Sequence, residues 1–372
     1  MKLPEWTPGL HAGRSGCSRQ SGFSLIELMV AMVIGLLIMT AVLQLFLDIT
    51  RTNNEMARTN AQIENGRFSI QMISGDLMHA GFWDGHVPEY DDLTAADAPA
   101  GYPASFVPPA PCEALAAWTA VYTDNLLRMP LQSFAEVPVG CESVVQNHKT
   151  GTDVLVVRYA DTTALSAASA SAGVPYFQAS YCADDDNYEY VLGGSGFTLT
   201  KMDCVTPVDI RRFVAKIYFI RNDDTLMRAE FLGSAGWSVQ PLIDGVEGFV
   251  VELGVDDRRG TSAVATVDYT AGVDWADPLN KVLPTNRGDG APDTFVRCPG
   301  TGCSADELIN VVAAKLHVLV RSIEPTPGYQ DDKTYVLGTT SFTPTGAAQQ
   351  FKRHVYSSSV RLTNVSARRE TP

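Results

Sequence analysis

From Leu28 to Leu47 there are 20 residues without a charge, and a single acid, Glu27, stands directly before them. At about 1.5 Å per residue, a helix of that length crosses the roughly 30 Å hydrocarbon core of a bilayer. Lys2, Arg14 and Arg19 all precede the span, so the positive-inside rule keeps the N-terminal end in the cytoplasm and exports everything after Leu47. An ordinary signal peptide has a shorter apolar core with its small-residue cleavage site behind it. Here the glycine, Gly22, lies in front.

The run Gly22-Phe23-Ser24-Leu25-Ile26-Glu27, continuing apolar to Gly35, resembles the class III leader of type IV prepilins. That resemblance implies a leader of residues 1–22, long for this branch, cut after Gly22 by a dedicated prepilin peptidase that also methylates the new N-terminus at Phe23. A peptidase reading an extended backbone tolerates little bulk at Gly22; the competing explanation is a helix-start glycine. A carboxylate in lipid costs several kcal/mol, roughly 2.5 to 3.5 for an Asp at the helix centre and less near the interface, so Glu27 needs a partner. In the prepilin family that partner is the N-terminal amine of a neighbouring subunit, here the methylated amine of Phe23. A local role competes, because Ser24-Leu25-Ile26-Glu27 also fits a capping box.

Composition agrees with export. The chain carries a formal charge of −14, and removing a leader with three basic residues and one acid leaves −16. A field of that sign repels phosphate backbones, and nucleic acid is not expected as a partner. Of seven cysteines, Cys17 lies in the leader and six remain. Six allow about 15 connectivities; proximity favours Cys112 with Cys141, Cys182 with Cys204, and Cys298 with Cys303. Each such bridge would contribute on the order of 2 to 4 kcal/mol. Cys298-Pro-Gly-Thr-Gly-Cys303 could be drawn as a redox or metal site, but no second cysteine pair or histidine cluster accompanies it.

No proline interrupts the chain between the span and Pro88, so one helix is expected to run to about Ala80, capped by Gly81. Ile49, Met56, Ile63, Ile70 and Leu77 recur every seven residues, a narrow stripe suited to packing against other helices. From Phe68 the stripe widens to take in Met72, Ile73 and Met78, which predicts that this later half docks on its own domain. Pro99, Pro103, Pro108, Pro109 and Pro111 mark an irregular connection. Strands are predicted at 153–159, 213–221, 225–232, 245–255, 315–323 and 351–365, with a turn at Asn222-Asp223-Asp224, a flexible loop at 164–173 and a long excursion at 256–294. The expected class is α+β and pilin-like: a leader (1–22), a helix (23–81, membrane-spanning at about 28–47) packed on a mainly antiparallel sheet domain with long loops (82–372).

Three further blocks resemble the PilW family of type IV pilus minor pilins. They are 64–68 running into 75–82; 222–228 followed by 242–249; and 316–322 together with 352–362. Residues 90–212 match nothing comparable. The resemblance implies a minor pilin that joins other minor pilins, the major pilin and a PilY-type tip adhesin at the inner-membrane assembly platform, and supports adhesion and twitching motility. The alternative is the related J-type pseudopilin of type II secretion. No enzyme, cofactor or metal site is expected. His79 and His86 near Asp84 are better explained by a helix end and a turn, and Gly193-Gly194-Ser195-Gly196 lacks the Lys-Ser/Thr of a phosphate loop. Asp184-Asp185-Asp186-Asn187 lacks EF-hand spacing, and Trp237 and Phe249 read as core residues.

Overall fold

The computed structural model describes residues 22–91, 104–185, 189–259, 266–268, 271–282 and 284–370. Leu25–His79 is one continuous helix, α1. It ends where the sequence says it should: Gly81 takes φ +72°, and a Cβ there would lie 2.7 Å from Val365 Cγ2. Left-handed backbone and a close approach both require glycine. The chain divides into two units, up to Ala57 and from Arg58 onward. In the first, every residue from Gly22 to Asn54 is exposed.

The second unit is α+β. Its further elements are α2 (Ala120–Arg128), β1 (Leu131–Phe134), β2 (Val154–Leu165), β3 (Tyr176–Ala179), β4 (Tyr190–Gly193), β5 (Ile210–Ile220), β6 (Thr225–Phe231), β7 (Trp237–Asp244), β8 (Val246–Val255), β9 (Thr294–Val296), α3 (Ala305–Leu308), β10 (Val311–Arg321), β11 (Tyr335–Leu337), β12 (Thr340–Phe342), β13 (Arg353–Arg361) and α4 (Thr363–Arg369). Among the described residues, one sheet has seven strands in the order β1-β2-β5-β3-β4, with β6 and β7 continuing from β5. A second sheet has the order β13-β10-β8-β9, and β11 and β12 form a hairpin. Every strand pairing is antiparallel.

The principal core lies between the two sheets and the end of α1. Ile73 and Leu77 share one buried cluster with Leu155 and Val157 of β2, Phe249 and Val251 of β8, and Leu316 and Val318 of β10. The alternate residues of β2, Val154 and Val156, face a second core roofed by Cys141, Val144 and Val145. A strand buried on both faces reads as an unbroken apolar run, as Val154-Leu155-Val156-Val157 does.

The docking face of α1 differs from the apolar stripe. Buried on it are Gln62, Gly66, Ser69, Ile73, Asp76 and Leu77. Of the seven-residue stripe within this unit only Leu77 is buried, while Phe68 and Met78 are each 52% exposed. Polar side chains can occupy the inner face because each finds a partner. Gln62 Nε2 donates to Val320 O at 2.7 Å and Lys352 O at 3.1 Å, and Ser69 Oγ donates to Asn65 O at 2.7 Å. Gly66 admits the Tyr356 ring where a Cβ would clash at 2.1 Å.

The strand expected over 351–365 ends at Arg361, and the chain turns helical at Thr363. Strand β2 runs past its expected end to Leu165, through an irregularity between Ala160 and Ala164. At the 222–224 turn, Asp224 takes φ +63° and donates its N–H to Arg221 O.

Candidate functional site

The N-terminal segment is built from very few residues. Gly22, Phe23 and Ser24 lie outside the helix, which starts at Leu25. Phe23 is 88% exposed. Among the described residues, a Cβ at Gly22 would meet nothing within 4 Å.

Glu27 makes the local bonds the sequence allows. Ser24 N donates to Glu27 Oε2 at 2.9 Å, and Glu27 N donates to Ser24 Oγ at 3.2 Å, a reciprocal capping box. Only Oε2 is used; among the described residues Oε1 accepts no hydrogen bond. The local role thus leaves one carboxylate oxygen open.

At the other end of α1, Asp76 anchors the helix to the first sheet. It accepts from Tyr159 Oη at 2.8 Å, Lys216 Nζ at 2.7 Å and the Tyr218 hydroxyl. Burial, and then the neighbouring Asp76 carboxylate, push both phenols well above their usual range. Sequence reading missed this cluster. A usable signal was present, since Gln62, Ser69 and Asp76 recur every seven residues, one position before Ile63, Ile70 and Leu77.

The structure joins the cysteines as sequence neighbours: Cys112 to Cys141, Cys182 to Cys204 and Cys298 to Cys303. Asp184 lies near two of these sulfurs, but as a disulfide they offer no thiolate to a metal. His79, Asp84 and His86 each have separate partners. His79 Nδ1 lies 2.7 Å from Gly75 O, and Asp84 pairs with Arg211 at 2.6 Å. His86 packs on Phe177 and Tyr190, and burial, assisted by the Arg368 charge, lowers its pKa to about 4. In the acidic run, Asp185 accepts from the Ser180 hydroxyl, while Asp186 and Asn187 lie outside the described residues. Gly194 and Ser195 form a bend after β4, and Gly196, with φ +89°, follows it. Phe249 is fully buried, whereas Trp237 is half-buried at the start of β7.

Comparison with known families agrees with this geometry at both ends of the chain. Residues 17–43 match the prokaryotic N-terminal methylation motif, and residues 217–364 match type IV pilus-assembly protein W. The chain is a PilW-like type IV pilin. No curated protein and no solved structure matches it. The W-type region of the pilin begins within β5 and takes in the hairpin to β6 and the whole second sheet. Its methylation motif covers Gly22 to Glu27 and the first third of α1. Residues 44–216, including the cysteine-rich middle, lie outside both matches. The exposed apolar helix and the motif together make it a membrane-anchored pilin, and both matching families are structural rather than enzymatic.

Proposed function

We propose that this PilW-like chain is a minor pilin that primes type IV pilus assembly and ends at the pilus tip. Prepilin peptidase cuts between Gly22 and Phe23 and methylates Phe23. The Glu27 carboxylate then receives the methylated amine of a neighbouring subunit, and charge neutralisation selects the inserted register. The N-terminus faces the cytoplasm and the sheet domain the periplasm until assembly. Its partners are the other minor pilins, the major pilin, the inner-membrane assembly platform and a PilY-type adhesin, through which it supports adhesion and twitching.

The observation that carries this reading is the methylation motif, which includes Gly22, seated on an exposed apolar helix. The W-type match over 217–364 favours the pilus over the J-type pseudopilin of type II secretion. The deciding experiment deletes the gene in a strain unable to retract pili and measures surface pili beside the secreted protein profile. Loss of pili with normal secretion is the expected result. Normal pili with lost secretion would make the protein a pseudopilin.

A further inference from the structure

Strand β4 closes one end of the seven-stranded sheet and, among the described residues, pairs only with β3. Ser180 N donates to Glu189 O at 3.0 Å, which fixes the phase of the ladder. Backbone groups alternate sides along an antiparallel strand, so Glu189, Val191 and Gly193 turn theirs to β3. Tyr190 and Leu192 turn theirs outward, where among the described residues they meet no other strand.

Beside this open edge lies a groove of about 540 Å³. Its opposite wall is α2, which presents Ala120, Thr123 and Asp124 from one face, and Trp118 and Leu115 supply apolar surface. The walls are tied together, since the Tyr190 hydroxyl donates to Asp124 and lies 3.2 Å from Thr123 Oγ1. Other ends of this sheet are less suited to pairing. β1 is buried throughout, and β7 carries Pro241 and a bulge opposite Leu226 and Met227.

Charge identifies the occupant. Asp124 and Glu189 line the groove, and among the described residues no lysine or arginine does. Arg128, one turn beyond Asp124, stands 4.5 Å over the Phe106 ring. We propose that this groove binds an extended peptide segment of another protein, which adds to β4 as a further strand and directs a Lys or Arg side chain to Asp124 and Glu189. Outward N–H and C=O groups supply affinity, and the apolar wall beside the acids selects side chains. The site lies outside the N-terminal segment and is independent of the proposed assembly role.

The test uses the full chain in detergent micelles and fluorescence anisotropy with three labelled, end-blocked pentapeptides. These are Val-Lys-Val-Thr-Val, its Glu-for-Lys counterpart, and the Lys peptide N-methylated on alternate amides. The Lys peptide is expected to bind, the Glu peptide at least about tenfold more weakly, and the methylated peptide no better than the Glu peptide. Leu192→Pro removes an outward N–H that β3 does not use, so it should keep the sheet and lose binding at least about tenfold. If Leu192→Pro unfolds, Asp124→Asn with Glu189→Gln decides, because it should erase the preference for Lys over Glu. Failure of the Lys peptide to bind, equal binding of the Lys and Glu peptides, or undiminished binding of the methylated one would overturn the proposal.

Discussion

Residues 25–54 and the unit from Arg58 onward invert each other. In the first, Leu, Ile, Val and Met side chains are exposed over half their surface or more, and a lone carboxylate stands at the entrance. In the second, whole guanidinium groups are inside. Arg353 pairs with Glu247 and Asp331 with all three side chains nearly or fully buried, and Arg369 pairs with Asp91. Among the described residues Arg158 is buried without a carboxylate partner, donating to Met129 O and Gln132 Oε1, and burial lowers its pKa to about 10. Each region is stable only in its own surroundings: the first needs lipid or neighbouring helices, the second carries its counter-charges with it.

The largest expected effect falls where the first region is read from outside. Gly22→Trp should leave the precursor uncleaved, seen as an intact-mass increase of the leader, while the sheet domain unfolds within about 0.5 kcal/mol of wild type. Normal processing would remove the cleavage assignment. Inside the second region the corresponding break is Arg353→Ala, which strands two buried carboxylates and should cost about 3 to 5 kcal/mol in denaturant unfolding. Arg353→Met combined with Glu247→Gln and Asp331→Asn removes all three charges at once and should cost less than Arg353→Ala alone. If it costs more, the cluster stabilises by attraction rather than by mutual neutralisation.

This contrast also marks how far the sequence could be read. Both ends of α1 were accessible, because Gly22 precedes an uncharged run and Gly81 ends a proline-free one. The long strands were accessible as apolar runs, since β2, β5, β8 and β10 are buried on both faces. The docking face of α1 was not, because a buried Asp76 and a solvated aspartate look the same until Tyr159, Lys216 and Tyr218 converge on it from other strands. Nor were β1, β3 and β4, of four residues each, too short to show a period. At 351–365 the apolar alternation of Val360 and Leu362 breaks at Asn364, and Leu362 and Val365, three residues apart, join the principal core from the start of a helix rather than from a strand.

A smaller effect separates two buried titrating groups of the second unit. His86 has its pKa lowered from 6.5 to about 4, so the unfolded chain takes up a proton first and stability is lost as pH falls from about 6.5 toward 4. Burial raises Asp256 from 3.8 to about 6, so the folded chain takes up a proton first and stability is gained as pH falls through 6. The two slopes oppose each other. His86→Phe deletes the first, and its stability relative to wild type should rise by about 2 kcal/mol between pH 7 and pH 5. A pH-independent difference would mean that His86 is not held neutral in the fold.

The finest test lies at the entrance to the first region, where one carboxylate has two candidate roles. Ser24→Ala breaks the capping box but leaves Glu27 charged and in place, so it should cost about 1 kcal/mol of helix start or less. Cleavage and filament incorporation should then stay at wild-type levels. Glu27→Ala removes both roles and should be cleaved but absent from sheared pili. Glu27→Gln keeps an acceptor for the Ser24 N–H and discards the charge, which makes it the discriminating variant. Incorporation of the Gln variant at wild-type level would reduce Glu27 to a helix cap. Its loss, with Ser24→Ala unaffected, would assign assembly to the charge that the cap leaves half unused.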